Sequence, residues 1–139
     1  MKRHALCLFV LSCLGVASAM AADLDVRLSG VASANGHVLV ALYDSEDGWD
    51  GRARSLAAQK IAATEGAIEL RFADLVPGRY GVLVLHDEND NGKLDTNMLG
   101  IPREGYGFSN NPRLMRRAKF EEVAFGVPEE GVGIVVEMR

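Results

Sequence analysis

The residues best suited to chemistry form one short run, His86-Asp87-Glu88-Asn89-Asp90-Asn91-Gly92-Lys93-Leu94-Asp95. Side-chain oxygens recur there at every second position, on Asp87, Asn89 and Asn91, followed by Gly92 and then Asp95. A loop that wraps a hard cation needs this pattern. Oxygen donors stand at its first, third and fifth positions, a glycine makes the sharp turn at the sixth, a backbone carbonyl is offered at the seventh, and a further oxygen stands at the ninth. Asp87, Asn89, Asn91, Gly92, Lys93 and Asp95 fill these places in order, with Lys93 contributing its carbonyl. We therefore read Asp87, Asn89, Asn91, Lys93 and Asp95 as the candidate ligands of Ca2+. The twelfth position, normally a bidentate glutamate, is Met98, so the closing ligand must come from Asp95, Asn97 or the distant Glu104. So few formal charges predict weak binding, with a dissociation constant of about 10⁻⁴–10⁻³ M. The competing reading is a bare turn, in which Asp and Asn bond the nearby backbone and Gly92 takes a positive φ.

Other residues carry weaker signals. His37 and His86 are the histidines outside the N-terminal segment and would make a transition-metal pair if they faced one another, although a histidine at a strand end is more often packed or capping. Glu88, Asp95, Glu104 and Ser109 supply acid, base and hydroxyl groups, but their spacing demands no catalytic arrangement. Arg113, Arg116, Arg117 and Lys119 would form an anion-binding face on a short helix, for lipid phosphates or an acidic partner, or else a solvated face beside Glu121-Glu122. The rings of Gly105-Tyr106-Gly107-Phe108 serve either as cover for the core or as a ligand platform.

The elements that must position these groups are mostly strands. Leu24, Val26 and Leu28 alternate with charged residues, as do Ile68, Leu70 and Phe72, which marks strands with one buried face. Residues 37–43 and 80–86 are apolar on both parities, so they should be central neighbours whose outer face is covered. The insertions after them, 44–59 with Trp49 and a helical turn over Arg52 to Ala58, and 96–117 with Tyr106, Phe108 and Leu114, are the candidate covers. Asn35-Gly36 signals a hairpin. Ile134, Val136 and Met138 mark a closing strand, and 60–64 and 118–126 add two more. About seven short strands separated by turns predict an all-β antiparallel sandwich with a long loop after the central strand.

The N-terminus reads as an export signal over residues 1–21. Lys2, Arg3 and His4 precede an apolar run from Ala5 to Gly15 and the small-residue sites Ala17-Ser18-Ala19 and Ala19-Met20-Ala21. That run is shorter than the about 20 residues needed to cross a membrane. Cleavage is expected after Ala21, with Ala19 as the alternative. Val10-Leu11-Ser12-Cys13 loosely resembles a lipid-attachment box, but the small-residue sites favour ordinary cleavage. Residues 22–139 then form a single domain with no transmembrane segment. Both cysteines, Cys7 and Cys13, fall in the signal, leaving no disulfide or thiolate chemistry, so the core or a metal must hold the fold. With 15 basic against 19 acidic residues, two of the basic ones in the signal, nucleic acid is not a general partner.

His86-Asp87-Glu88-Asn89 through Asn91-Gly92-Lys93-Leu94-Asp95 and Asn97, with Gly100-Ile101-Pro102, Glu104-Gly105-Tyr106-Gly107-Phe108-Ser109-Asn110-Asn111, Val40-Ala41-Leu42-Tyr43-Asp44 and Pro77-Gly78, closely resembles a bacterial family of small exported proteins, domain of unknown function 2141. The resemblance covers essentially all of residues 22–139, with Trp49 standing where phenylalanine is expected. It implies an exported immunoglobulin-like or prealbumin-like sandwich and no particular activity. The expectation is a non-enzymatic module in the periplasm or outside the cell. The alternatives are a carrier for a small ligand or envelope component and, less favoured, an enzyme.

Overall fold

The computed structural model describes residues 21–139. The export signal, its cleavage sites and both cysteines therefore fall on or beside positions outside the described residues. Eight strands and two short helices follow in the order β1 (Ala22–Val31), β2 (His37–Tyr43), α1 (Glu46–Trp49), β3 (Ala57–Ala62), β4 (Gly66–Leu75), β5 (Gly78–Asp87), β6 (Tyr106–Phe108), α2 (Phe120–Val123), β7 (Phe125–Val127) and β8 (Val132–Glu137). They form two sheets, β4-β1-β8 and β3-β2-β5-β6, with β7 also pairing with β5. The all-β sandwich read from the strand pattern is the observed architecture.

Alternation fixes which side chains meet between the sheets. Val38, Val40 and Leu42 of β2 and Tyr80, Val82 and Val84 of β5 pack with Leu24, Val26 and Leu28 of β1, Ile68 and Phe72 of β4 and Val136 of β8. Burying each such side chain contributes about 1.5–3 kcal/mol. β2 and β5 are antiparallel neighbours, Val40 opposite Val84. Their second apolar face is also covered, as their two-sided pattern requires. Trp49, Phe108, Ala118, Phe120 and Val123 form a second cluster there, joined by Tyr43, Leu83, Tyr106 and Leu114. Trp49 is its centre: its ring lies 5.2 Å from Tyr43 and 5.9 Å from Phe108, and its Nε1–H donates to the Ala118 carbonyl at 2.8 Å. Both insertions thus serve as cover.

Several local expectations are corrected. Asn35-Gly36 is a turn but not a hairpin, because β1 and β2 lie in different sheets. Gly36 takes φ +63, and a Cβ there would sit 2.0 Å from the Asp87 carbonyl oxygen, so this turn is packed against the start of the 87–95 loop. The helical turn lies at Glu46–Trp49 rather than Arg52 to Ala58; the Ser45 hydroxyl caps it by accepting from the Gly48 N–H. Segment 118–126 is not one strand. It divides into α2, whose start is closed by the Glu122 carboxylate accepting from the Lys119 N–H at 2.7 Å, and β7. The strand expected at 60–64 runs over Ala57–Ala62, and the 96–117 loop contains β6. Finally, not every pair is antiparallel: β1 and β8 run parallel, Leu24 beside Val132 and Ser29 beside Glu137.

Candidate functional site

The 87–95 loop leaves the end of β5 and the chain returns to the same point. The His86 N–H donates to the Gly105 carbonyl at 2.7 Å, which closes residues 87–105 into one excursion. Asp87 sits at its base, only 1% exposed. One of its carboxylate oxygens accepts the Asn91 N–H at 3.0 Å and the other the Gly92 N–H at 2.7 Å. Gly92 is at φ +75. Asn89 Oδ1 accepts the Asn91 N–H at 3.1 Å, and Asn91 Oδ1 accepts the Lys93 N–H at 2.9 Å. These are the side-chain-to-backbone bonds expected of the bare turn.

The loop also draws together the oxygen-bearing groups singled out in the sequence. The Asp95 carboxylate receives the side-chain amides of Asn89 at 2.5 Å and of Asn91 at 3.0 Å. Of the three residues considered for closing the shell, Glu104 is the one that bridges the loop. It is 8% exposed and accepts the Glu88 N–H at 3.0 Å with one oxygen and the Asp95 N–H at 2.8 Å with the other. Asn97 turns away and caps its own turn, accepting from the Leu99 and Ile101 N–H groups. Lys93 contributes backbone only: its side chain is exposed. Among the described residues no group of three or more His, Asp and Glu side chains is disposed to hold a metal by itself. A cation here would draw on the amide oxygens of Asn89 and Asn91 and the Lys93 carbonyl as well as on carboxylates. A half-turn of either amide exchanges its NH2 for its oxygen. That would give up the Asn91 N–H and Lys93 N–H bonds while offering oxygens where the amides now meet Asp95.

The histidine pair is overturned. His86 lies on the inner face with Val82 and Val84 and is 1% exposed. Its Nε2 carries the proton, because it bonds the Asn35 carbonyl at 2.9 Å, and its Nδ1 has no hydrogen-bond partner. His37 belongs to the opposite parity of the sheet and pairs with Asp90, which Lys60 also approaches at 3.3 Å. The His37 bond, seconded by Lys60, holds the Asp90 carboxyl below its usual range. Ser109 is a structural hydroxyl. Fully buried, it accepts the Val82 N–H at 2.9 Å and donates to the Val123 carbonyl at 2.6 Å, tying β5 to α2. Glu88 bonds the Ser33 hydroxyl at 3.0 Å.

The basic cluster is not on a helix, since α2 begins only at Phe120. Arg116 grips Glu122 at 2.7 and 2.9 Å, and that contact, with the Lys119 backbone bond second, holds the Glu122 carboxyl down at about 2. Arg117 lies over the Trp49 ring, 5.5 Å from its centroid. The aromatic loop, read as core cover or ligand platform, borders a cleft of about 660 Å³ against the outer face of the sheet. Leu83, Leu85, Tyr106 and Phe108 lie along it, between the 97–101 turn and the segment around Leu114 and Met115. Tyr106 and Phe108 therefore act both as core cover and as cleft lining.

No helix among the described residues is long and apolar enough to cross a membrane. The family model described as "Uncharacterized protein conserved in bacteria (DUF2141)" matches residues 26–134, from within β1 into β8. No curated protein and no solved structure matches the chain significantly.

Proposed function

The chain belongs to the DUF2141 family, and from that premise we propose that it is an exported, non-enzymatic β-sandwich module whose 87–95 loop is fixed by Ca2+. The observation that carries this reading is the convergence of Asp87, Asn89, Asn91, Asp95 and Glu104 on one loop. The role is structural. A divalent cation offsets the mutual repulsion of clustered carboxylates and locks the excursion between His86 and Gly105. That in turn holds the following segment against the outer face of the sheet. A buried Ser109 engaged at both sides and a His86 turned away from Asp87 favour a module over an enzyme. Export to the periplasm or beyond rests on the reading of residues 1–21.

Thermal melting in millimolar calcium and in chelator tests this. At roughly 10 mM calcium a site of the expected affinity stabilises the fold by about 1.4–2.7 kcal/mol, or a melting shift of several degrees. Terbium luminescence should be sensitised in parallel, and Asp87→Ala should abolish the shift. Absence of both signals in the wild-type protein refutes the cation.

The cleft favours a second reading, a binding or carrier module for a small ligand or an envelope component. Its floor is apolar and open on the side away from the main core, as expected of a ligand pocket.

A further inference from the structure

Three large apolar side chains that line this cleft, Leu99, Ile101 and Met115, stand in water, as does Met98 beside them in the chain. Met98 and Met115 are fully exposed, at 103% and 106%, and Leu99 and Ile101 are more than half exposed. Single exposed apolar residues are ordinary, but a contiguous apolar patch bordered by charge marks a contact surface. These four are gathered. Leu99, Ile101 and Met115 line one cleft together with Arg116 and Arg117, and Met98 adjoins Leu99 without entering the lining. The turn that carries Met98 and Leu99 is rigidly made, closed by the Asn97 side chain, by Gly100 at φ +76 and by the Asn97 N–H donating to the Ile101 carbonyl.

The charged side chains that line the cleft, Arg116 and Arg117, are both basic, the first of them paired with Glu122. In the sequence Arg103 follows the turn, and Arg113 and Lys119 stand on either side of Met115. Among the described residues none of these three, nor Arg117, has a carboxylate within ion-pair distance. The chain as a whole is acidic, so this is a local reversal of sign. A soluble ligand seated in the cleft would leave Met98 in water. An apolar medium laid across the whole face would take up all four side chains, while the arginines kept their stems in the interface and their heads at phosphate level.

We propose that this face docks on a lipid bilayer containing anionic phospholipid. The proposal rests on the second reading above, that of an envelope-binding module, and names the chemistry of its partner. It does not require the cation.

The test is co-sedimentation of the protein, purified as the cell processes it, with vesicles of phosphatidylcholine alone and of phosphatidylcholine mixed with phosphatidylglycerol. Each is run in calcium and in chelator. The expected result is pelleting with the mixed vesicles that weakens with salt. The Leu99→Ser/Ile101→Ser double variant should lower partition by about tenfold or more. Arg103→Gln and Arg113→Gln should each lower it about fivefold. All four substitutions lie at exposed positions, so unchanged melting curves certify the fold. No pelleting with anionic vesicles in either medium overturns the proposal, as does pelleting indifferent to the apolar double variant. Displacement of a fluorescent acyl-chain probe separates the two readings. If the probe binds while vesicles do not, the face holds single amphiphiles, so docking on a bilayer is wrong and the binding module survives. If neither binds, both fall.

Discussion

Glu104 offers the sharpest test of the loop, because it acts with or without a cation. Its two oxygens accept the backbone N–H groups of Glu88 and Asp95 at 3.0 and 2.8 Å. A hydrogen bond to a charged group is worth about 1.5–3 kcal/mol, so the pair sets a ceiling of roughly 3–6 kcal/mol. Glu88 and Asp95 are only partly buried, and water would replace part of what is lost. We therefore expect Glu104→Ala to destabilise by about 2–4 kcal/mol in chelator. Glu104→Gln keeps one acceptor and turns an NH2 towards the other donor, so it should cost about 1–2.5 kcal/mol. Urea unfolding in chelator measures both, and the midpoint should fall with the slope unchanged. Amide exchange at Glu88 and Asp95 should accelerate in step. If Glu104→Gln stays within about 0.5 kcal/mol of wild type, the ordinary scatter of surface changes, the carboxylate does not bridge the loop. If it also keeps the full calcium shift, Glu104 does not close the shell.

Ser109→Ala leaves the Val82 N–H and the Val123 carbonyl without their buried partner and should cost about 2–4 kcal/mol by urea unfolding. Two glycines of the region should separate cleanly. Gly36→Ala forces a Cβ into the Asp87 carbonyl at φ +63 and should cost more than about 2 kcal/mol. Gly92→Ala, at φ +75 with open space around it, should cost only about 1–2 kcal/mol, a left-handed residue's ordinary penalty; equal losses would refute the packing of the 35–36 turn on the loop. Because its folded carboxyl is depressed to about 2 by Arg116 and the Lys119 backbone, Glu122 contributes stability that is present above its unfolded value near 4.5 and is lost as pH falls towards 2. Unfolding midpoints of Glu122→Gln should accordingly vary less with pH than wild type across that window.

What was legible in the chain was what neighbouring residues decide together. Strands β2 and β5 have no polar face, and that alone required a second apolar layer, which Trp49 and Phe108 provide. The spacing of Asp87, Asn89 and Asn91, read first as a cation loop, also carried as its competing reading the side-chain-to-backbone turn whose bonds the loop makes. What was illegible depended on distant partners. Asn35-Gly36 has the composition of a hairpin turn, but β1 is claimed on both edges by β4 and β8, so the same turn carries the chain between sheets instead. The helical turn expected over Arg52 to Ala58 ends in residues that instead pair with β2, Ala57 opposite Leu42 and Ala58 opposite Ala41, and that pairing overrides the local preference. α1 had its signals in Ser45, Glu46 and Asp47, but four residues are too few to display a helical period. Glu104 was one of three candidates, and only the positions of the Glu88 and Asp95 amides single it out.

The parallel pairing of β1 with β8 bears on when this molecule can form at all. The central strand of one sheet is contributed by the beginning of the described chain and flanked on one side by its end. Until Val132 to Glu137 are available, β1 has β4 on one edge only and its other edge stays open. Contacts between such remote segments form late and slow the folding of β proteins. A nascent chain would thus complete this sheet only once Val132 to Glu137 had emerged.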